Sequence, residues 1–587
     1  MSAPQAPAGA TLTLAPAVLL LVGAALLLQP RTRAAAVLLA GLAMVASVGG
    51  LAIVEIAWPH TGGYDVPVLG WSPLGLYGVT LTLHPSSTAF VLTLPALLLT
   101  TVGMALLWQR DVAGTGTWAA GAAACVAVAG SCWAAAAGDL VSLTLATCLF
   151  LGATTAMLWA VAGPAPAGRR LLLVATAAVG LETCVLILGK VNGLFLLSQL
   201  STVGFTSAAF AGLFLTALVA APVPPFQGWL QRLARHPLAP AVQAAGVALA
   251  LRLLLVVFQV TAGSFSPSWP YWLSLSGWLA VAGSIGVLLR RRGQPTRLAA
   301  LAAGRAGFAF LAAAIATPGS MVAALLYTTL ALPPLSLLWL LSLASSPPGQ
   351  LRRREAALWK TPGFWIAALL LAAAAGLPGT VGGLAKGALI GTLTATPAGN
   401  PWLRLPPLLL DGATLIAASR LLWQPHALTR LGSRTGWALL ALAMAVLIGP
   451  FLVPSLAVAR WFGPAALAAA GTANVPLAFE VSRVPSALSL VLGVVALLAL
   501  VQRIRGREWL PGPVLALLAV AFVQWEEARR RWRRRGWPTH TTRAGALWQR
   551  AGQVAEHAVS LLRPLEERYY AAAAILLAIA LIYVVAR

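Results

Sequence analysis

The sequence predicts an all-α polytopic membrane protein with about sixteen transmembrane helices, and three observations predict it. Apolar runs of about 20 residues, each long enough to span hydrocarbon as a helix, recur from end to end. Of the 587 residues, 59% are hydrophobic and only 9% charged, whereas soluble domains carry about 25% charged residues. The arginines fall in short loops between the apolar runs, as in cytoplasmic loops of membrane proteins. Because the runs are continuous rather than alternating, a transmembrane barrel is excluded.

The runs place spans near 11–29, 34–57, 86–108, 116–137, 139–162, 171–190, 194–220, 238–260, 271–289, 297–317, 319–345, 363–396, 405–423, 436–456, 485–502 and 570–586. Arginine placement tests this register. Loops after odd-numbered spans carry Arg31 and Arg33, Arg110, Arg169 and Arg170, Arg232 and Arg235, Arg290 to Arg292, Arg352 to Arg354, and Arg430 with Arg434. Loops after even-numbered spans are almost bare until Arg404, Arg460 and Arg483. The positive-inside rule then sets the N-terminus outside and the odd loops in the cytoplasm, in the inner (plasma) membrane of a prokaryotic cell. The opening "MSAPQAPAGA" lacks a basic n-region, so the first run is expected to be a retained helix.

The net charge of +25 would point to nucleic acid in a soluble protein. Here the loops account for it, and the expected surroundings are the lipid bilayer, with no nucleic-acid partner. Cys125, Cys132, Cys148 and Cys184 lie inside apolar runs without metal-ligand spacing, so no metal, disulfide or other cofactor is expected. Near the C-terminus, "LPGPVLALLAVAFVQW" (510–525) lies between Arg503, Arg505 and Arg507 on one side and "RRRWRRR" (529–535) on the other. This charge pattern favours a helix lying along the cytoplasmic interface. A second amphipathic piece (545–562) precedes the last span.

Two segments are unusual for membrane helices. In "AAPVPPFQGWL" (220–230), Pro222, Pro224 and Pro225 must break or end the seventh span, because proline lacks an N–H and disfavours helix before it. In "GLPGTVGGLAKGALI" (376–390), Gly376, Pro378, Gly379, Gly382 and Gly383 interrupt the twelfth. Broken helices at membrane depth are tolerated where protein buries the freed backbone or water reaches it. One break in each half points to internal repeats, and the spacing of five helices fits an inverted five-helix repeat. The spans also contain rare charges: Glu182, Arg252, Arg305, Lys386 and Asp411. Each is a functional candidate, because a charge in hydrocarbon is disfavoured unless it has a partner. Lys386, one of three lysines, lies too deep to reach the interface easily.

These motifs resemble the antiporter-like membrane subunits of NADH–quinone oxidoreductase (respiratory complex I), Mrp-type cation/proton antiporters and membrane-bound hydrogenases. "GLPGTVGGLAK" is similar to the family's G-L-P-P-x-x-G-F-x-x-K segment of helix 12, with Gly383 where Phe is usual. "PPFQGWLQRLARHPLAP" resembles its P-F-H-x-W-L-P-x-A-x-x-x-P segment after helix 7, "TRLAALAAGRAGF" the start of helix 10, and "LTLHPSSTAF" the entry to helix 3. The ordered set covers residues 70 to 425. The resemblance implies half-channels around the two broken helices. A helix-7 lysine paired with a helix-5 glutamate would titrate in one half, and a helix-12 lysine or glutamate in the other. A buried lysine suits this work because desolvation lowers its pKa and a nearby carboxylate raises it.

The correspondence is uneven. The helix-12 lysine is Lys386; the helix-7 lysine falls at Ala220, the helix-5 glutamate at Cys148, the helix-3 aspartate at His84, and the helix-11 histidine near Tyr327. Arg252 stands near the helix-8 basic position, where an arginine biases a path but does not release a proton. Glu182 is open to two readings: a substitute acid, with Lys190 eight residues later near the membrane edge, or a structural partner of Arg252, with Lys190 snorkelling to the interface. Lys386 is likewise either a titrating relay or the partner of Asp411 in a packing ion pair. His236 reads as a solvated loop residue.

The implied organisation is 1–110 (spans one to three), 111–262 (first antiporter-like half), 263–425 (second half) and 426–587 (C-terminal spans, lateral segment and anchor). The implied function is proton translocation through a C-terminal half-channel around Lys386, with Asp411, Glu182 and Arg252 as candidate participants. The partners would be other membrane subunits of a hetero-oligomeric complex, homologous subunits included. In such a complex the chain is at most a non-catalytic membrane subunit. Two alternatives stand beside this: a non-conducting coupling subunit that has lost the helix-5 and helix-7 pair, and a partner in ion or bicarbonate uptake.

Overall fold

The computed structural model describes residues 8–57, 66–71, 79–109, 115–192, 195–200, 205–223, 226–261, 265–289, 293–344, 362–376, 380–395, 410–411 and 413–414. The three spans expected beyond 423, the 510–525 and 545–562 segments, and Pro224, Pro225 and Pro378 lie outside these residues. Helices α1 (Ala8–Leu27), α2 (Arg33–Ala57), α3 (Ser87–Gln109), α4 (Thr115–Ala135), α5 (Leu140–Ala162) and α6 (Pro164–Asn192) are followed by α7 (Ser207–Ala220) and the short α8 (Gly228–Leu233). Then come α9 (Ala239–Thr261), α10 (Ser268–Leu289), α11 (Gln294–Ala313), α12 (Pro318–Leu326), α13 (Leu332–Ala344), α14 (Pro362–Ala374) and α15 (Val381–Ala395). Among the described residues, seven helical stretches are long and apolar enough to cross a membrane.

The bundle is organised around α9. Every residue of α9 except Gln259 is buried, as expected for a helix that is apolar on all sides. Helices α3, α4, α7, α11 and α13 pack on it. Exposed apolar side chains lie instead on peripheral helices, including Leu38 and Val45 of α2, Leu172 and Leu186 of α6, and Tyr271 of α10. These are the surfaces left for lipid or for a neighbouring membrane helix.

Two features amend the expectation from sequence. First, the chain is not purely helical: β1 (Val66–Trp71) and β2 (Val79–Leu83) pair antiparallel between α2 and α3. The alternating "VTLTL" of β2 carries the period-two pattern of a strand. Second, the seventh span begins later than 194. Leu197–Gln199 form a single 3-10 turn, and α7 starts at Ser207 behind an N-cap in which Thr206 accepts from the Ala209 amide.

The loops meet in two sets, one at each end of the bundle. The Gly138 amide donates to Thr82, His84 to Ala136, Leu197 to Gly138, and Leu140 to Phe195. Residues following α2, α4 and α6 are thereby laced together. The other set joins residues at the starts of α2, α4 and α6 and around α8. The Arg33 guanidinium lies 4.3 Å from the Trp118 ring centroid and that of Arg170 4.0 Å from Trp229. His236 Nε2 lies 3.2 Å from the Thr117 carbonyl, and Trp339 Nε1 donates to Ala234 at 2.8 Å. His236 is therefore not a solvated loop residue. It is buried, and because its Nδ1 accepts from the Leu238 amide, the Nε2 proton of the neutral ring points at Thr117.

One carboxylate holds the first set together. Fully buried Asp139 caps α5 by accepting from the Ser142 amide at 2.7 Å, and it also accepts from the Ser142 hydroxyl. Across 57 residues it takes the Thr82 amide at 2.6 Å and the Thr82 hydroxyl at 3.1 Å. Four donors replace the water that a buried carboxylate would lose. Asp139→Ala removes a helix cap and orphans two buried amides, a loss of about 2 to 4 kcal/mol. Thermal unfolding of the detergent-solubilised chain should show a clear drop in midpoint for Asp139→Ala and a smaller one for Asp139→Asn, which keeps an accepting oxygen.

Candidate functional site

The segment expected to form the twelfth span is two helices. Helix α14 closes with the Ala375 amide on Leu371 and the Gly376 amide on Ala373. Gly376 has φ +65°, the left-handed conformation that ends helices and that glycine adopts without strain. The chain restarts as α15, where the Thr380 hydroxyl accepts from the Gly383 amide at 3.1 Å, as an N-cap does. Gly382 lets the two helices cross: a Cβ there would lie 1.8 Å from the Ala373 carbonyl oxygen. Lys386 comes one turn into α15, and side chains on a helix lean toward its N-terminus. Its aliphatic stem accordingly lies against Gly376, where a Cβ would meet Lys386 Cδ at 2.8 Å.

The ammonium meets a carboxylate. Lys386 Nζ is 2.5 Å from Asp411 Oδ2, and both side chains are only 5% exposed. The other carboxylate oxygen, Oδ1, takes Arg305 Nη2 at 3.1 Å. The same nitrogen donates to Thr414 Oγ1 at 3.2 Å, and Arg305 Nη1 donates to the Tyr327 hydroxyl at 2.9 Å. Thr414 passes its own proton to the Leu410 carbonyl, which leaves its lone pairs for the guanidinium. Four elements thus contribute: α11 gives Arg305, the eleventh span Tyr327, α15 Lys386, and the residues at 410–414 Asp411 and Thr414.

Tyr327 opens a π-helical turn, Tyr327–Ala331, between α12 and α13. Pro333 and Pro334 follow this turn, and because they carry no N–H, the Thr329 and Leu330 carbonyls lose their usual i+4 donors. The Tyr327 ring packs edge-on to Phe308, one turn beyond Arg305 on α11, with centroids 5.1 Å apart. With lysine and arginine protonated and aspartate ionised, the cluster carries one net positive charge.

The first half is built differently. Helix α7 ends at Ala220, the Ala221 amide bonding Ala217, just before Pro222. Ala220 is fully buried, and its carbonyl lies against Gly246 of α9, where a Cβ would come within 2.2 Å. The same Cβ would meet the Phe150 ring at 3.1 Å. Apolar packing therefore fills the end of α7. Cys148 is partly buried on α5, and His84 joins the loop at Ala136 through its backbone.

Two sequence candidates stay away from the Lys386 cluster and from each other. Arg252 on α9 donates from Nη2 to the Ala137 carbonyl at 2.8 Å, tying α9 to the α4–α5 loop. Glu182 lies on the exposed face of α6, a helix packed on α5 and α7. The pairing of Glu182 with Arg252 is thus corrected: the acid faces outward, while the guanidinium serves a buried carbonyl. Arg305 was legible as a rare charge, but its bridging place was not. The resemblance points near Tyr327 as the helix-11 histidine position, whereas Thr414 carries no charge signal and only its contacts reveal it.

No family model and no curated protein matches the sequence. Solved structures do. A chain in the structure of the Mrp complex from Dietzia sp. DQ12-45-1b superposes with a TM-score of 0.64 at 22% identity, over 94% of this chain. This chain covers 63% of that longer one. A chain of respiratory complex I from Thermus thermophilus with bound NADH superposes with a TM-score of 0.61 at 20% identity, over 78% of this chain and 99% of the other. The protein is a multi-pass membrane protein with the fold found in the membrane chains of these two assemblies.

Proposed function

We propose that this chain is a membrane subunit of an energy-converting assembly of the complex I or Mrp kind, and that it moves protons through its C-terminal half at Lys386. The carrying observation is the buried group at the helix break, in which Asp411 is shared by Lys386 and Arg305. Lysine can release a proton; arginine does not. When Lys386 is protonated the cluster holds one net positive charge. When it releases its proton, Asp411 keeps Arg305 as its cation and the cluster becomes neutral. Neither state leaves a bare buried carboxylate, which is the condition for a lysine to cycle in a low-dielectric site. Glu182 and Arg252 have no part in this cycle.

The topology proposed with it has sixteen spans, the N-terminus outside, basic loops in the cytoplasm, and two inverted halves with breaks near 222 and 378. The two separate sets of loop contacts support alternating helix direction through α9. The second reading, a non-conducting coupling subunit, draws support from the apolar contact of Ala220, Gly246 and Phe150 at the position where the resemblance would place a lysine. The two readings part at Lys386.

In vesicles containing the whole complex, Lys386→Ala and Lys386→Arg should each abolish proton uptake while assembly persists. Undiminished uptake in both would leave the lysine a packing residue and favour the coupling reading.

Arg305 gives a graded test. Arg305→Gln leaves Asp411 with Lys386 alone, so proton release would strand a buried charge at a cost of about 3 kcal/mol, or roughly a hundredfold in rate. Tyr327→Phe removes one acceptor from the guanidinium, worth about 1 kcal/mol, or roughly fivefold. Proton-transfer rates in reconstituted vesicles should fall in that order, with Arg305→Gln the slower variant.

A further inference from the structure

Glu182 is out of place as a lipid-facing residue. Of the three acidic side chains described, Asp139 and Asp411 are buried and held by named donors, while Glu182 is exposed. It sits on α6 about 10 Å inside the nearer end, Gly189, of the span Pro164–Gly189. In a centred span, that depth lies within the hydrocarbon, where a carboxylate is disfavoured without a partner. Leu172, Ala175, Val179, Glu182 and Leu186 are exposed at alternating steps of three and four, so they form one stripe along the helix. The hydroxyls of Thr176 and Thr183 bond the Leu172 and Val179 carbonyls of α6 itself. Among the described side chains, no cation pairs with the carboxylate. Cys148 of α5 lies within its electrostatic reach but brings no positive charge. By contrast, the exposed face of α2 at Leu38, Leu42, Val45 and Val48 is apolar, as lipid requires.

We infer that the outer face of α6 is a subunit interface, and that its occupant is a transmembrane helix of a partner subunit presenting a lysine, arginine or histidine to Glu182. Charge complementarity selects this occupant. Acyl chains offer no cation, lipid headgroups lie too far along the helix, and a second copy docked through the same stripe would oppose two carboxylates. The inference rests on the reading of this chain as part of a larger assembly.

The test is co-purification of the tagged full-length chain from native membranes in mild detergent, with a photo-crosslinking amino acid in place of Leu186. The wild-type chain should retain its membrane partners, and the cross-link should map to a partner transmembrane segment with a basic residue near the contact. Glu182→Lys should reduce the retained partner at least tenfold. A Lys or Arg→Glu change in the facing segment should restore it. Glu182→Gln should weaken retention severalfold, whereas Leu38→Ala on α2 should not. Should Glu182→Lys fail to fold, Val179→Trp keeps the charge and blocks the same stripe, and it should also lose the partner. Full retention by Glu182→Lys or Val179→Trp, equal retention by Glu182→Gln, or cross-links to lipid alone would overturn the interface. A wild-type chain that retains no membrane partner would overturn the proposed function along with it.

Discussion

A carboxylate buried among hydrocarbon needs a cation, and Asp411 has two. Much of the second half follows from that. Arg305 must sit on α11 facing the interior, Tyr327 must turn its hydroxyl toward the guanidinium, and the twelfth span must break so that Lys386 can arrive. The break serves the ion pair sterically as well. A side chain at Gly376 would occupy the path of the lysine stem, and one at Gly382 would push α15 away from α14. Three charges confined in this way define a geometry that apolar packing alone would leave loose.

The two halves place their polar groups by opposite logic. In the second, ionisable side chains converge inside the bundle. In the first, Asp139, Arg252 and Arg170 hold the ends, and Glu182 faces outward. Asp139 fixes the β2 and α5 junction, Arg252 ties α9 to the Ala137 carbonyl, and Arg170 lies over Trp229 while donating to Thr154. The interior position at the end of α7 is apolar, with Ala220 against Gly246. Helix α9 is the seam: its Gly246 faces the first half, and its Gln243 donates to Ala302 of α11 in the second.

Much of this was legible in the residues. Long apolar runs place helices because the bilayer leaves the backbone no other way to satisfy its N–H and C=O groups. The Gly and Pro cluster near 378 marks the twelfth-span break for the same reason. Arg305, Lys386 and Asp411 announce themselves by rarity. Rarity gives pairing only in part: Lys386 and Asp411 on neighbouring segments do meet, but Arg305 joins Asp411 across 106 residues, and the reading of Glu182 as a partner of Arg252 fails. The hairpin was missed because five alternating residues are a faint signal beside twenty apolar ones. Asp139 escaped notice because it stands at a loop edge, where an aspartate reads as solvated; Ser142 three residues on was the available sign of a cap. His236 was misread for a similar reason, since a loop position says nothing of burial when neighbouring helices cover it.

The choice of cation at the break carries an argument of its own. The chain has 39 lysines and arginines, of which three are lysines. If position 386 needed only a permanent positive charge, arginine would serve, and its bidentate fork would suit a carboxylate better. Arginine already fills that role on the other side of Asp411. Two arginines on one buried carboxylate would fix the cluster at one net positive charge. An arginine and a lysine allow two states, because one partner holds the carboxylate while the other gains or loses its proton. On the proposed function, that difference is what a lysine at position 386 supplies.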